Sequence, residues 1–339
     1  MEVLQKLTKK WENSLITKYG EHEYSKKAVK ILIEIYEEFL LSGYCDSKFK
    51  SQINSEQDNQ YEQALGEMLF YNLLKKNGFK FLEHKDSGPD FYIEKDKVRI
   101  WCEVITPQLD FKGEIQSYRD EYRPLYPDAE KNLQEYYNIL LRITNAIDTK
   151  YKKYLEDIKK GRVDENDCYI IVLNDALLCH DIIQGQMYGT YGVSSDCTGN
   201  DKFPLSLSAI NRKTLKKGND KQIDLVHFLD ESFSKLNALI QVTLRDDYAF
   251  REIMCQKDSE DFLRTCGLLK LPDIIVNKFS QNIIPQNFFN MRYHYLEKGS
   301  AKTNNPKCKL TDDEIIKLIE HFNMMYGDSV ITTIKEYKE

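Results

Sequence analysis

Residues 88–107 read GPDFYIEKDKVRIWCEVITP, and the rest of the chain is organised around this stretch. Two segments rich in aromatic and β-branched residues, DFYIEK (90–95) and VRIWCEVI (98–105), flank the tight polar turn EKDK, which is the pattern of an antiparallel hairpin. A third strand-like segment, FKFLEH (79–84), precedes them. Asp90 follows a Gly-Pro turn at the start of one arm and Glu103 stands near the end of the other. Antiparallel pairing therefore carries both carboxylates toward the same end of a sheet.

Upstream of the hairpin, YEQALGEMLFYNLLKKNG (61–78) has the spacing of a helix and stops at Gly78, the usual helix-ending position. Downstream, a polar and aromatic loop over roughly 107–127 leads into a long helical pattern from about Ala129 to Lys160 that closes at Gly161. The run CYIIVLN (168–174) then reads as a strand buried on both faces. The order is helix, three strands, helix, strand. A helical crossover between the third and fourth strands predicts that they run parallel, joined by a right-handed connection.

Beyond this core, EYSKKAVKILIEIYEEFLLSG (23–43) predicts an amphipathic helix, and SQINSEQDNQ (51–60) reads as a polar linker. In the second half, IDLVHFLD (223–230), ALIQVTL (238–244) and DIIVNK (273–278) resemble further strands, and TDDE (311–314) opens a C-terminal helix with a capping-box pattern. The expected fold class is α/β with a mixed central sheet. Its parts are a helical extension over 1–55, a core over 56–180, a sheet extension with loops over 181–300, and a helical segment over 301–339.

At 339 residues and 41% hydrophobic content the chain can build a core without staples. Its net charge of −6 argues against a surface that is basic throughout, so any grip on nucleic acid must come from a local basic groove. No apolar run approaches the ~20 residues of a membrane span, and MEVLQKLTKKWENS lacks the apolar core of a signal peptide, which predicts a soluble, cytoplasmic protein. The eight cysteines show no CxxC pair and the six histidines no HxH or HxxxH spacing, which leaves neither a disulfide framework nor a structural zinc site. The phosphate-cradling GxxxxGK[ST], the dinucleotide GxGxxG and the nucleophile GxSxG are absent.

Helix geometry adds two polar residues to the hairpin carboxylates. At about 100° per residue, Glu67 lies within about 60° of Ala64, Phe70, Tyr71 and Leu74, on the face that should meet the sheet, while Glu62 points roughly the opposite way. A glutamate on an apolar face is costly unless a cation meets it. Lys150 lies within about 60° of Tyr136, Ile139, Ile143, Ala146, Ile147 and Tyr154, so its ammonium also belongs to a sheet-facing stripe. Arg142 stands two turns earlier, about 80° away.

The Gly-Pro-Asp turn, the WCEV strand, the glutamate on the preceding helix and the order of elements together resemble the PD-(D/E)XK nuclease superfamily, the restriction-endonuclease-like fold. The resemblance covers about residues 58–175, with Pro89-Asp90 at the PD position, Glu103 at the acidic position of the second half-motif, and Glu67 at the helix glutamate many members use. It implies Mg²⁺ (or Mn²⁺) held by Asp90, Glu103 and Glu67, and nucleic acid, DNA or RNA, as substrate. It departs at Ile105, where the motif lysine is expected. The superfamily often moves that lysine to the following helix, and Lys150 is the natural substitute, positioned to orient or deprotonate the nucleophile and steady transition-state charge.

Candidate phosphate contacts are Arg142, Gln108 just past the third strand, and the loop-like basic run NRKTLKKGNDK (211–221) with Arg212, Lys213, Lys216 and Lys217; Lys298, Lys302, Lys307 and Lys309 form a thinner set. Nucleases that cut both strands often act as homodimers, a possible assembly here. Two other classes stay open: a nuclease fold that lost catalysis with its lysine and binds nucleic acid or a protein, and a scaffold whose carboxylates are incidental.

Overall fold

A computed structural model describes residues 2–83, 88–108, 129–178, 214–217, 221–224, 227–228, 231–255, 272–282, 284–285, 287–297 and 300–304. The chain is α/β. It opens with four helices, α1 (Glu2–Tyr19), α2 (Glu23–Leu41), α3 (Ser47–Ile53) and α4 (Asp58–Lys76), followed by strands β1 (Lys80–Phe81), β2 (Phe91–Lys95) and β3 (Val98–Ile105). Helix α5 (Ala129–Lys159) crosses to β4 (Cys168–Asn174). Strands β5 (Thr214–Lys217) and β6 (Lys221–Asp224) form a separate hairpin, and β7 (Ala238–Val242), helix α6 (Tyr248–Cys255), β8 (Asp273–Val276), β9 (Arg292–Glu297) and β10 (Ser300–Asn304) complete the order.

Eight strands make one mixed sheet in the order β1-β2-β3-β4-β7-β8-β9-β10. As the helical crossover predicts, β3 and β4 are parallel, and β7 continues parallel to β4. The β2–β3 turn places Asp96 at φ 48° and Lys97 at φ 65°, the left-handed pair that a two-residue hairpin turn needs to match strand twist. All seven residues of β4 are buried, in keeping with its unbroken apolar run.

The two faces of the sheet carry separate cores. Ile100, Cys102 and Val104 of β3 point to the layer of α1, α2, α3 and α4, where Trp11, Phe39, Phe49 and Leu69 are almost wholly buried. Trp101 and Ile105 point to the other layer, toward Ile143, Ile147, Tyr151 and Tyr154 of α5. Helix α4 is buried nearly all round because helices cover its outer side. Glu62, which faces away from the sheet, is therefore enclosed as well, and Trp11 Nε1 donates to the Tyr61 hydroxyl at 2.8 Å across the α1–α4 seam.

At the end of α1, Lys18 and Tyr19 meet Asp247, which also receives Arg245 at 3.1 Å and Arg251 at 2.8 Å. Burial opposes ionisation of this carboxyl, but Arg245 and Lys18 outweigh it and hold the pKa below the ordinary aspartate range. The N-terminal helix is thereby tied to the segment that follows β7.

Several expectations need correction. The linker expected over 51–60 shrinks to 54–57, because Asp46 caps α3 by accepting Phe49 N–H at 2.6 Å and the buried Phe49 and Ile53 anchor that helix. The basic run 211–221 is not a loop where described: Thr214–Lys217 and Lys221–Asp224 are paired strands. Only Ile223 and Asp224 of the expected strand 223–230 lie in β6, and His227 and Phe228 sit in a bend. Residues 301–304, the start of the segment expected to be helical over 301–339, instead pair within β10 (Ser300–Asn304) with β9; the helix expected from TDDE (311–314) lies outside the described residues.

Gly66 lets α4 approach the ends of β3 and β4. A Cβ there would stand 2.7 Å from Asn174 Nδ2 and 3.3 Å from Thr106 Oγ1. Asn174 cannot easily move, since its amide brackets Leu244, donating to the carbonyl at 3.0 Å and accepting the N–H at 2.8 Å. Gly66→Ala, which in an exposed helix would stabilise by about 1 kcal/mol, is expected to destabilise by about 1–3 kcal/mol through overpacking. Urea denaturation of the two proteins measures this, and equal or greater stability of the variant would show that the close approach is not required.

Candidate active site

Strand β2 begins at Phe91, opposite Cys102, while β3 runs on to Ile105. The last residues of β3, beyond Cys102, thus have an edge that β2 does not cover, and side chains complete it. Asp90 Oδ2 accepts the Val104 N–H at 2.7 Å. Gln63 of α4 donates from Nε2 to the Val104 carbonyl at 2.9 Å and accepts the Thr106 N–H on Oε1 at 2.8 Å. Reversing that amide would set oxygen against oxygen and N–H against N–H, so its orientation is fixed by its partners. The same Nε2 donates to Glu67 Oε1 at 2.8 Å, one turn along the helix.

Glu103 lies two residues from both Trp101 and Ile105, on the same face of the strand, and therefore faces α5. It is 2% exposed. Lys150 reaches down from α5 to form a close ion pair with its Oε1, and Lys153, one turn further along, stands 3.3 and 3.4 Å from its two oxygens. Ile105, at the position where the motif lysine was expected, is buried in the same apolar cluster as Ile143 and Ile147. The helix thus supplies the ammonium that the strand does not.

The charges interact as one group. Burial, reinforced by Glu103 and Glu67, lifts the Asp90 carboxyl well above the ordinary aspartate range, against the pull of Lys150 and the Val104 N–H. Glu67 is also raised, mainly by burial; Gln63 and Lys48 oppose this, while Glu103 adds to it. Burial pulls the Lys150 ammonium down, but Glu103, Asp90 and Glu67 together outweigh it and raise the pKa. Asp90, Glu67 and Lys150 thus share one buried neighbourhood in which each feels the Glu103 carboxylate.

Among the described residues no three His, Cys, Asp or Glu side chains form a group that could hold a metal ion. Asp90 and Glu103 provide the one or two hard carboxylates that suffice for Mg²⁺, which keeps several waters. Glu67 is turned to Gln63 in this arrangement.

The outer candidates are less closely drawn in. Arg142 is half-buried on α5 and Gln108 half-buried after β3. Lys216 and Lys217 lie on β5, in the hairpin that runs beside α5. Lys302 lies on β10. Arg212, Lys213, Lys298, Lys307 and Lys309 fall outside the described residues. Sequence reasoning missed Gln63 and Lys153, although each carries a signal: Gln63 is four residues before Glu67 and Lys153 three after Lys150, on the same helix faces.

No protein-family model matches the chain, and comparison with curated proteins and with solved structures gives no match.

The raised Asp90 pKa makes this site a cost to stability. Below the ordinary aspartate range the carboxyl is protonated in both folded and unfolded chains and nothing is lost. As the pH rises through that range the unfolded chain ionises freely while the folded one resists, so stability falls. Asp90→Asn, which keeps an oxygen for the Val104 N–H, is expected to stabilise the chain at pH 7 by about 0.5–2 kcal/mol, with the gain shrinking toward about pH 4. Denaturation at the two pH values checks this; a gain independent of pH would contradict it.

Proposed function

We propose that the chain is a metal-dependent nuclease of the PD-(D/E)XK kind, hydrolysing phosphodiester bonds in nucleic acid. The observation that carries this reading is the Lys150–Glu103 ion pair, which sets an ammonium beside the strand carboxylate while Ile105 fills the core. The α4, β1, β2, β3, α5, β4 order, with β3 parallel to β4, supports a restriction-endonuclease-like core within the larger sheet.

Asp90 and Glu103 would hold a divalent cation such as Mg²⁺ or Mn²⁺, which when bound polarises a phosphoryl oxygen and lowers the pKa of attacking water. Lys150 places positive charge next to those carboxylates, where it can orient the nucleophile and offset charge growing on the phosphoryl group. Gln63 fixes Glu67 and the end of β3 as one unit, so the acids keep their spacing. Arg142, Gln108 and the lysines of the β5–β6 hairpin are the candidates for contact with flanking phosphates.

Incubation with single- and double-stranded DNA and RNA under Mg²⁺ or Mn²⁺ tests the reading. Wild-type protein should cleave at least one of these polymers in a metal-dependent manner. Asp90→Ala should remove cleavage, and Lys150→Ala should slow it by about 10²–10³-fold, the usual cost of losing a charge-stabilising group. Cleavage at the same rate by all three proteins would indicate contamination, and binding without cleavage would favour a nuclease fold that has become a binding module.

A further inference from the structure

The second lysine at Glu103 has a different standing from the first. Lys150 is buried enough that its side chain is 27% exposed, and it lies in the field of Asp90 and Glu67 as well as pairing with Glu103. Lys153 is 49% exposed, stands farther off, and straddles both Glu103 oxygens at 3.3 and 3.4 Å. Among the described residues Glu103 is its only ionic partner. One carboxylate therefore meets two ammonium groups from a single helix face, and these repel each other. The weaker and more solvated of the two is Lys153.

We propose that Lys153 is the exchangeable counter-cation of this site, an ammonium that competes with the divalent cation for Glu103 and yields to it. The inference rests on the nuclease reading above and adds to it a residue that sets metal affinity. Lys150 stays in place because Asp90 and Glu67 share its charge. Lys153, on a flexible four-carbon stem open to solvent, withdraws to the rim at little cost. A lysine with this task makes cation binding weaker than the carboxylates alone would allow, so the site fills only when the divalent cation is abundant.

The test is a calorimetric Mn²⁺ titration of the full chain without nucleic acid, so that the readout is binding and not cleavage. Lys153→Met keeps the helix-forming stem and removes the charge; it should bind Mn²⁺ about three- to tenfold more tightly than wild type. Lys153→Arg should stay near wild type, and Asp90→Ala should lose the binding. A lysine that merely stabilised the fold would leave the affinity unchanged or lower it on removal, and either result overturns the proposal while leaving the nuclease reading intact. Absence of Mn²⁺ binding by wild type, or binding insensitive to Asp90→Ala, overturns both.

Discussion

The candidate site exists because β3 is longer than its neighbour. Backbone N–H and C=O groups inside a protein must find partners, and leaving one without costs about as much as a lost hydrogen bond. Where β2 stops at Phe91, the Val104 N–H and C=O and the Thr106 N–H have no strand to pair with on that side. Asp90 and Gln63 answer all three. Their placement is thus a consequence of backbone accounting. Once Gln63 is fixed, its remaining hydrogen fixes Glu67, and once Asp90 is fixed, its carboxylate lies within the field of Glu103. A row of acids is assembled by satisfying the end of one strand.

That assembly opposes folding in one respect and supports it in another. The carboxylates repel each other, and burial raises the pKa of both Asp90 and Glu67. The lysines of α5 offset part of this from their side of the sheet. A lysine at position 105 would have to leave the sheet among Ile143, Ile147 and Leu173, all deeply buried. Supplying the charge from the helix keeps the core of that face apolar and brings the ammonium in from the solvent side, where a long side chain can remain partly hydrated.

Much of the frame was legible in the sequence, and the limits have physical causes. The hairpin, the helices ending at Gly43, Gly78 and Gly161, and the parallel β3–β4 pair follow from turn chemistry and periodicity; those three glycines take φ values of 82°, 76° and 65°. Strand β3 and the buried β4 announce themselves by composition. Helix α4 was legible as a helix, but the cover over its outer face was not: Glu62, placed away from the sheet, is as enclosed as Glu67. Strands β9 and β10 were missed because RYHYLE and SAKTN lack the apolar run that marks a sheet centre. Gln63 was missed for a different reason: no local pattern says that a strand elsewhere will end with open hydrogen bonds.

The site draws Glu67 from the α4 layer, Asp90 and Glu103 from the sheet and the lysines from α5, so its geometry depends on how firmly both layers are held to the sheet. On the α4 side the bare Gly66 allows contact with Asn174, which is clamped to Leu244. On the α5 side Tyr154 stacks on Tyr169 of β4, with ring centroids 3.8 Å apart and planes within 3° of parallel, one turn beyond Lys150. The Tyr169 hydroxyl also reaches the Lys150 carbonyl at 3.4 Å. This stack fixes the helix backbone under Lys150 while leaving the outward side of the next turn, where Lys153 begins, in solvent. A rigid lysine and an adaptable one can therefore share a single carboxylate, because aromatic packing restrains the helix they stand on and not the two side chains equally.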